Sequence, residues 1–131
     1  MADWREVART ARTYVVSRGL EPAAAWDEAT KRAGIRTRGG YPKTTFLGLC
    51  EAGYVRGIPA GTYADRAGAM RQYAARMVEL LVEDDDYEDD PMELFTTATD
   101  GKVGEQGQLD VLFGLWNHGL IDVSSIETRV S

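Results

Sequence analysis

The sequence contains one ten-residue phrase twice. Residues 46–55 read FLGLCEAGYV and residues 112–121 read LFGLWNHGLI. Each copy has two apolar residues, Gly-Leu, three variable residues, a second Gly and two further apolar residues. The second glycines, Gly53 and Gly119, fit the left-handed position that follows a helix. The phrase therefore predicts two helices that end in the same way and run into short extended segments.

The similarity extends upstream of each phrase. EPAAAWDEAT ends at Thr30 and DPMELFTTAT ends at Thr99, and both read acid, Pro, three residues, aromatic, two residues, Ala, Thr. An Ala-rich amphipathic segment precedes each of them. The repeated order predicts two three-helix units, about 3–58 and 70–123, within a single domain of residues 1–131. Each unit is too small to bury its own apolar faces, so we expect them to pack about a pseudo-two-fold axis.

Apolar residues recur at helical spacing through most of the chain, which predicts an all-α fold with six helices and at most two short extended segments. Six aromatic residues on the apolar helix faces are the predicted core: Trp4, Trp26, Phe46, Phe95, Phe113 and Trp116. The predicted helices cover 3–18, 22–33, 42–52, 63–82 and 91–98, and a sixth carries Leu109 and stops at Gly119. Thr62 with Asp65 resembles a capping box at the start of the fourth helix.

Gly48 and Gly114 fall inside predicted helices, where glycine costs about 1 kcal/mol relative to alanine. A close crossing of two helices would offset this cost, because glycine leaves no side chain between the two backbones. We therefore expect the third and sixth helices to lie near each other, close to the pseudo-axis.

Composition limits the possible functions. The net charge of −6 disfavours a general binder of duplex DNA, whose surface is usually basic. No apolar run approaches the ~20 residues that span a bilayer, and the N-terminus has no apolar signal core. Cys50 is the one cysteine, so no internal disulfide can form. These features favour a cytoplasmic protein without a membrane partner.

The segment YPKTTFLGLCEAGYVRGIPAGTY, residues 41–63, together with LWNHGLI near the C-terminus, resembles an uncharacterised bacterial family catalogued as a domain of unknown function. The resemblance covers most of the chain. It implies a cytosolic bacterial or phage protein and supplies no activity, substrate, cofactor or catalytic residue.

Residues with metal-binding or catalytic chemistry are few. His118 is the one histidine, and Cys50 and His118 occupy matching helices, but nothing in their spacing supplies the third group that would orient a nucleophilic pair. The acidic run EDDDYEDD fails as a calcium loop because it has no Gly at position six. The run is typical of a solvated loop. We assign no catalytic residue, no metal ligand and no cofactor.

One segment reverses the overall charge. Residues 31–43, KRAGIRTRGGYPK, hold five basic residues and no acid. Such segregation indicates recognition of a partner, although a solvated loop would have the same composition. The predicted partner-binding residues are Lys31, Arg32, Arg36, Arg38, Lys43 and Thr44.

Three function classes follow, in this order. The first is a binding or regulatory module that acts on an acidic surface of another protein, or on the acidic run of a second copy. The second is a helix-turn-helix-like nucleic-acid binder that presents Lys43 and Thr44 from helix 42–52. The third is a small enzyme that uses paired carboxylates.

Overall fold

The computed structural model describes residues 3–36, 40–63, 68–124 and 126, and this part of the chain forms six α-helices. It contains no β-strand, so the all-α prediction is confirmed for it. The helices are α1 (Trp4–Arg18), α2 (Pro22–Arg32), α3 (Gly40–Glu51), α4 (Ala69–Glu83), α5 (Pro91–Thr99) and α6 (Gln108–Trp116). A 3₁₀ helix, Asp85–Asp89, lies between α4 and α5, where the sequence predicts a loop.

Local sequence signals start several of these helices. The Asp3 carboxylate accepts a hydrogen bond from the Glu6 N–H at the N-terminus of α1, and Asp90 does the same for Glu93 in α5. Proline stands in the first turn of α2 and of α5, where its missing N–H costs nothing. These short-range signals explain why the predicted bounds of α1, α2 and α5 agree closely with the structure.

The predicted start of α4 at Tyr63 is wrong, because the helix begins at Ala69 after an extended N-cap residue, Gly68. The backbone N–H of Tyr63 instead donates to the carboxylate of Glu51 at 2.9 Å, and its hydroxyl donates to the carbonyl of Pro59. This non-local capture holds Tyr63 outside the helix. The proposed cap partner Asp65 lies outside the described residues.

The two phrases end in the same local geometry. Gly53 and Gly119 take the left-handed φ values of 80° and 70°. The N–H of Tyr54 donates to the carbonyl of Leu49 at 3.0 Å, and the N–H of Leu120 donates to that of Leu115 at 3.0 Å. Both phrases therefore end in the hydrogen-bonding pattern of a glycine-terminated helix.

The extended segments that follow α3 and α6 pair with each other. Val55 and Ile121 form an isolated antiparallel bridge. On one side the N–H of Arg56 donates to the carbonyl of Leu120, and on the other the N–H of Asp122 donates to that of Tyr54, both at 2.8 Å. The ends of the two phrases thus meet in one backbone contact.

Gly48 and Gly114 stand at tight helix crossings, as predicted. A Cβ atom at Gly48 would lie 2.9 Å from the Cα of Arg71, and one at Gly114 would lie 2.6 Å from the Cα of Arg5. The helices that approach these glycines are α4 and α1. Although α3 and α6 also contact each other, the tight crossings are those of α3 with α4 and of α6 with α1.

The buried apolar residues of all six helices form one cluster. Trp26, Phe46, Phe95 and Phe113 are buried in it as predicted. Trp4 and Trp116 are only partly buried, so their assignment to the core is corrected. They are the first residue of α1 and the last residue of α6, so each lies at a helix end.

Candidate partner-binding surface

Three of the predicted binding residues are exposed at the end of α2. Lys31 and Arg32 lie in its last turn, and Arg36 follows the turn that ends the helix. Within the described part of the chain, these three side chains make no hydrogen bond and no ion pair. We call Lys31, Arg32 and Arg36 the basic surface. Arg38 lies outside the described residues.

Lys43 is placed differently from the other cations. Its ammonium forms an ion pair with Asp27 at 3.0 Å, and its side chain is 24% exposed. Asp27 belongs to α2 and Lys43 to α3, so the pair joins two helices. Its charge is therefore already balanced within the fold, and a partner would gain less from Lys43 than from the basic surface.

Thr44, the last of the predicted residues, lines a groove of about 410 Å³ between the first turns of α3 and α4. The hydroxyl of Thr44 donates to the carbonyl of Gly40. Other lining residues are Tyr41, Met70, Tyr73, Lys102 and Val103. We call this the open groove.

The open groove is electropositive with apolar walls. Among the described residues that line it, Lys102 carries the only charge, and it is exposed. The first turns of α3 and α4 contain no acidic residue, and the N-cap of α4, Gly68, provides no side-chain hydrogen bond. The positive end of the α4 dipole therefore adds to the charge of Lys102.

Sequence reasoning missed most of this groove. Tyr41, Tyr73 and Lys102 come from three separate segments, and no spacing rule connects them. The available signal was Gly68, a cap residue without a side chain, just before a strongly amphipathic helix.

The most buried of the ion-paired carboxylates has a structural role. Glu51, whose side chain is 5% exposed, lies 3.4 Å from a guanidinium nitrogen of Arg71 and also accepts the N–H of Tyr63. It borders a pocket of about 240 Å³ near Gly48. The interactions tie the loop after α3 to α4. Among the described residues that line it, Glu51 is the one carboxylate, whereas the enzyme hypothesis requires a pair.

A second cleft, of about 340 Å³ between α1 and α2, does contain two carboxylates, Asp3 and Glu6. Both are exposed, and Asp3 already caps α1. Arg32 borders the same cleft. An exposed pair of this kind lacks the desolvation that would tune one carboxylate as an acid and the other as a base.

Cys50 and His118 do not form a reactive pair. Cys50 is fully buried in α3, whereas His118 is exposed beyond the end of α6. Burial, with a smaller contribution from the nearby Glu51 carboxylate, raises the pKa of the Cys50 thiol far above its ordinary value. The thiolate form needed for nucleophilic chemistry is therefore suppressed.

We expect Cys50 to resist a disulfide reagent in the native state and to react fully once urea unfolds the chain, because the thiol is buried and protonated. Ellman's assay with and without urea measures both states. A Cys50→Ala chain carrying Ser17→Cys, at an exposed position of α1, is the control and should react quickly in both. Rapid labelling of native Cys50 would contradict its burial.

The acidic run forms a 3₁₀ helix that contacts α6. Asp84, Asp85 and Asp86 have carboxylate oxygens within 4.8 Å of one another, and all three residues are exposed. Glu88, in the same run, accepts a hydrogen bond from the indole N–H of Trp116 at 2.7 Å. An exposed cluster of this kind is not in itself a metal site. We call residues 84–90 the acidic segment.

The described helices include none that is both long and apolar enough to cross a membrane. The fold and its surface define a small helical domain that has tight glycine crossings, a basic surface and an open groove. The chain belongs to DUF6979, a family of unknown function whose model matches residues 1–122, so the resemblance seen in the sequence is confirmed. No curated protein and no solved structure matches the chain.

Proposed function

We propose that the chain is a small cytoplasmic binding module that recognises an acidic protein surface and performs no catalysis. The observation that carries this proposal is the basic surface. Lys31, Arg32 and Arg36 are exposed and, among the described residues, unpaired, although the whole chain has a net charge of −6. Because the fold does not pair them with the described carboxylates, these cations are available to the carboxylates of a partner.

Helix electrostatics accounts for only part of the basic surface. Lys31 and Arg32 lie in the last turn of α2, where cations stabilise the helix dipole. Arg36 lies beyond the helix and receives no such benefit. Arginine also presents a planar set of donors that matches a carboxylate, which suits the proposed partner.

Reversing the charge of Arg32 and Arg36 together should weaken binding to an acidic probe by about tenfold or more, equivalent to about 1.4 kcal/mol. The probe is a labelled peptide of alternating Glu and Ser, followed by fluorescence anisotropy at low salt. A Gln-Ser peptide reports any contribution that does not depend on charge. The Tm should fall only slightly, because exposed charges, including one at a helix C-terminus, contribute little to stability.

Arg18→Glu is the matched control for this experiment. Arg18 is exposed in the last turn of α1, as Arg32 is in the last turn of α2, so both reversals disturb a helix dipole similarly. Arg18→Glu should leave peptide binding unchanged. If the double variant Arg32→Glu/Arg36→Glu binds the Glu-Ser peptide as well as the native chain, the proposal is wrong.

The nucleic-acid alternative gains little from the structure. Residues 45–50 of α3 are all buried, so only its first turn could reach a DNA groove. Of the residues there, Lys43 is already paired with Asp27. Binding to random-sequence DNA that persists at moderate salt would favour this alternative over the protein partner.

We infer that the two halves of the chain arose by duplication and are related by a pseudo-two-fold axis. Contacts that repeat at a shift of 66 residues support this inference. The crossing of Gly48 with Arg71 corresponds to that of Gly114 with Arg5.

The bridge between the extended segments supports the same inference. Exchanging the halves brings Val55 onto Ile121, so the bridge joins equivalent residues. The two hydrogen bonds that flank the bridge are equivalent as well. The bond from the N–H of Arg56 to the carbonyl of Leu120 corresponds to the bond from the N–H of Asp122 to the carbonyl of Tyr54. A homodimer of half-length chains would make the same symmetric contacts.

A further inference from the structure

The inferred duplication gives the open groove a counterpart in the other half of the chain. Positions 66 residues from Tyr41 and Met70 are Gly107 and Trp4. A Cβ atom at Gly107 would lie 2.7 Å from Cδ1 of Trp4, so the indole fills this place. Asp3, next to Trp4, supplies the carboxylate that caps α1.

Among the described residues, the open groove contains neither an indole nor a carboxylate. Met70 stands where the other half has the indole, and Tyr41 forms a wall of a space of about 410 Å³. Among the described residues, no side chain caps the N-terminus of α4, and the nearby Lys102 makes no ion pair. Compared with its counterpart, the open groove therefore has Met70 and Tyr41 in place of an indole and a glycine, and among the described residues it has no capping carboxylate.

Elsewhere on its surface the chain carries an exposed apolar side chain close in sequence to a group of carboxylates. Met92 follows the acidic segment closely and, with 54% exposure, is the most exposed large apolar residue among those described. The crowded carboxylates of Asp84, Asp85 and Asp86 would gain from a cation beside them. A methionine sulfur also packs favourably against aromatic rings, such as those of Tyr41 and Tyr73.

We propose that the open groove binds residues 84–92 of a second copy of this chain. Met92 of one copy enters between Tyr41 and Tyr73 of the other, and the acidic segment lies against Lys102 and the N-terminus of α4. This proposal rests on the proposed function, because the partner surface is again acidic. It differs in the site, since the acidic segment binds the open groove and not the basic surface.

The positions of the two surfaces suit a symmetric pair. The open groove lies at the N-terminal end of α4, and the acidic segment follows its C-terminal end. The length of α4 therefore separates them, and the acidic segment cannot reach the groove of its own chain. Two copies related by a two-fold axis make each contact twice. The α4 helices of the pair then run in opposite directions.

Sedimentation velocity over a range of concentrations tests the proposal. The native chain should dimerise at low salt and dissociate as salt rises, because the contact is partly electrostatic. Met92→Glu and Lys102→Glu should each raise the dimer dissociation constant by about tenfold or more. Val16→Glu, at another exposed apolar residue (47%), should leave it unchanged. A native chain that stays monomeric at every concentration in low salt overturns the proposal.

A charge exchange locates the contact. Adding Asp86→Lys to Lys102→Glu should recover much of the lost dimerisation, whereas each single reversal weakens it. Circular dichroism confirms that these variants, all at exposed positions, keep their helices. No recovery in the exchanged variant, together with undiminished dimerisation in Met92→Glu, would reject the groove.

The basic-surface variant separates this proposal from the proposed function. Arg32→Glu/Arg36→Glu should dimerise normally if the open groove makes the contact, even if that variant no longer binds the Glu-Ser peptide. If it abolishes the dimer while Lys102→Glu does not, the acidic segment binds the basic surface and the groove assignment is wrong. If the native chain dimerises through the groove but ignores the peptide, the proposed function alone fails.

Discussion

Trp26→Ala is expected to lower the free energy of unfolding by about 3–5 kcal/mol, as large-to-small changes at buried tryptophans do. Trp26 is fully buried in α2. Its ring stacks on that of Trp4, with centroids 5.9 Å apart, and packs against Phe46 at 5.3 Å. The substitution therefore removes the centre of a three-ring cluster that joins α1, α2 and α3. Urea denaturation followed by circular dichroism measures the loss.

Trp26→Phe should cost much less than Trp26→Ala. The indole nitrogen of Trp26 is buried and has no hydrogen-bond partner among the described residues. An unmade hydrogen bond of a buried donor costs about 1–3 kcal/mol, and phenylalanine removes that donor while keeping most of the apolar contact.

Trp116→Ala is the comparison for these two changes. Trp116 is partly exposed and donates its indole N–H to Glu88, so its loss should affect stability less than that of Trp26. Equal effects of Trp26→Ala and Trp116→Ala would mean that Trp26 is not the centre of the core.

The parts of the fold that the sequence predicts well are those determined by neighbours along the chain. Asp90 and Pro91 start α5, and Gly53 and Gly119 end α3 and α6, through hydrogen bonds that span only a few residues. The glycines inside α3 and α6 predict tight crossings for a different reason: their cost within a helix has to be offset, although the sequence does not say which helix crosses them.

Non-local contacts explain why the predictions for the start of α4 and for the acidic run differ from the structure. Tyr63 lies outside α4 because its N–H is held by Glu51, which is 12 residues away. The acidic run forms a 3₁₀ helix, and one of its carboxylates accepts the indole N–H of Trp116 from α6. No pattern within a single helix contains either interaction.

The charge of the candidate site could be predicted from the sequence, but the shape of the open groove could not. The exposed cations Lys31, Arg32 and Arg36 stand out in the sequence as part of a segment without acids. Lys43 belongs to the same segment, but the tertiary fold pairs it with Asp27. The open groove arises where α3, α4 and the loop after α5 meet, so only the packing of distant segments creates it.

Gly48→Ala and Gly114→Ala should each destabilise the chain by about 1–3 kcal/mol or more, because overpacking a tight contact forces backbone to move. The new Cβ at Gly114 would lie 2.6 Å from the Cα and 2.7 Å from the carbonyl oxygen of Arg5. At Gly48 the nearest atom, the Cα of Arg71, would be 2.9 Å away. The effect should therefore be larger at Gly114. Denaturant midpoints at constant m-value give both numbers.

A loss of stability in Gly48→Ala and Gly114→Ala, rather than a gain, would show that the two helix crossings are tight. In an exposed helix, Gly→Ala stabilises by about 1 kcal/mol, so a loss of stability can come only from the crossing. Gly104→Ala, in the loop before α6, is the control for an uncrowded glycine, since its nearest neighbour, the Gln106 side chain, would be 4.0 Å from the new Cβ. It should be neutral or slightly stabilising. If Gly48→Ala and Gly114→Ala behaved like Gly104→Ala, the crossings would not be tight, and the duplication would lose the contact pair that supports it most directly.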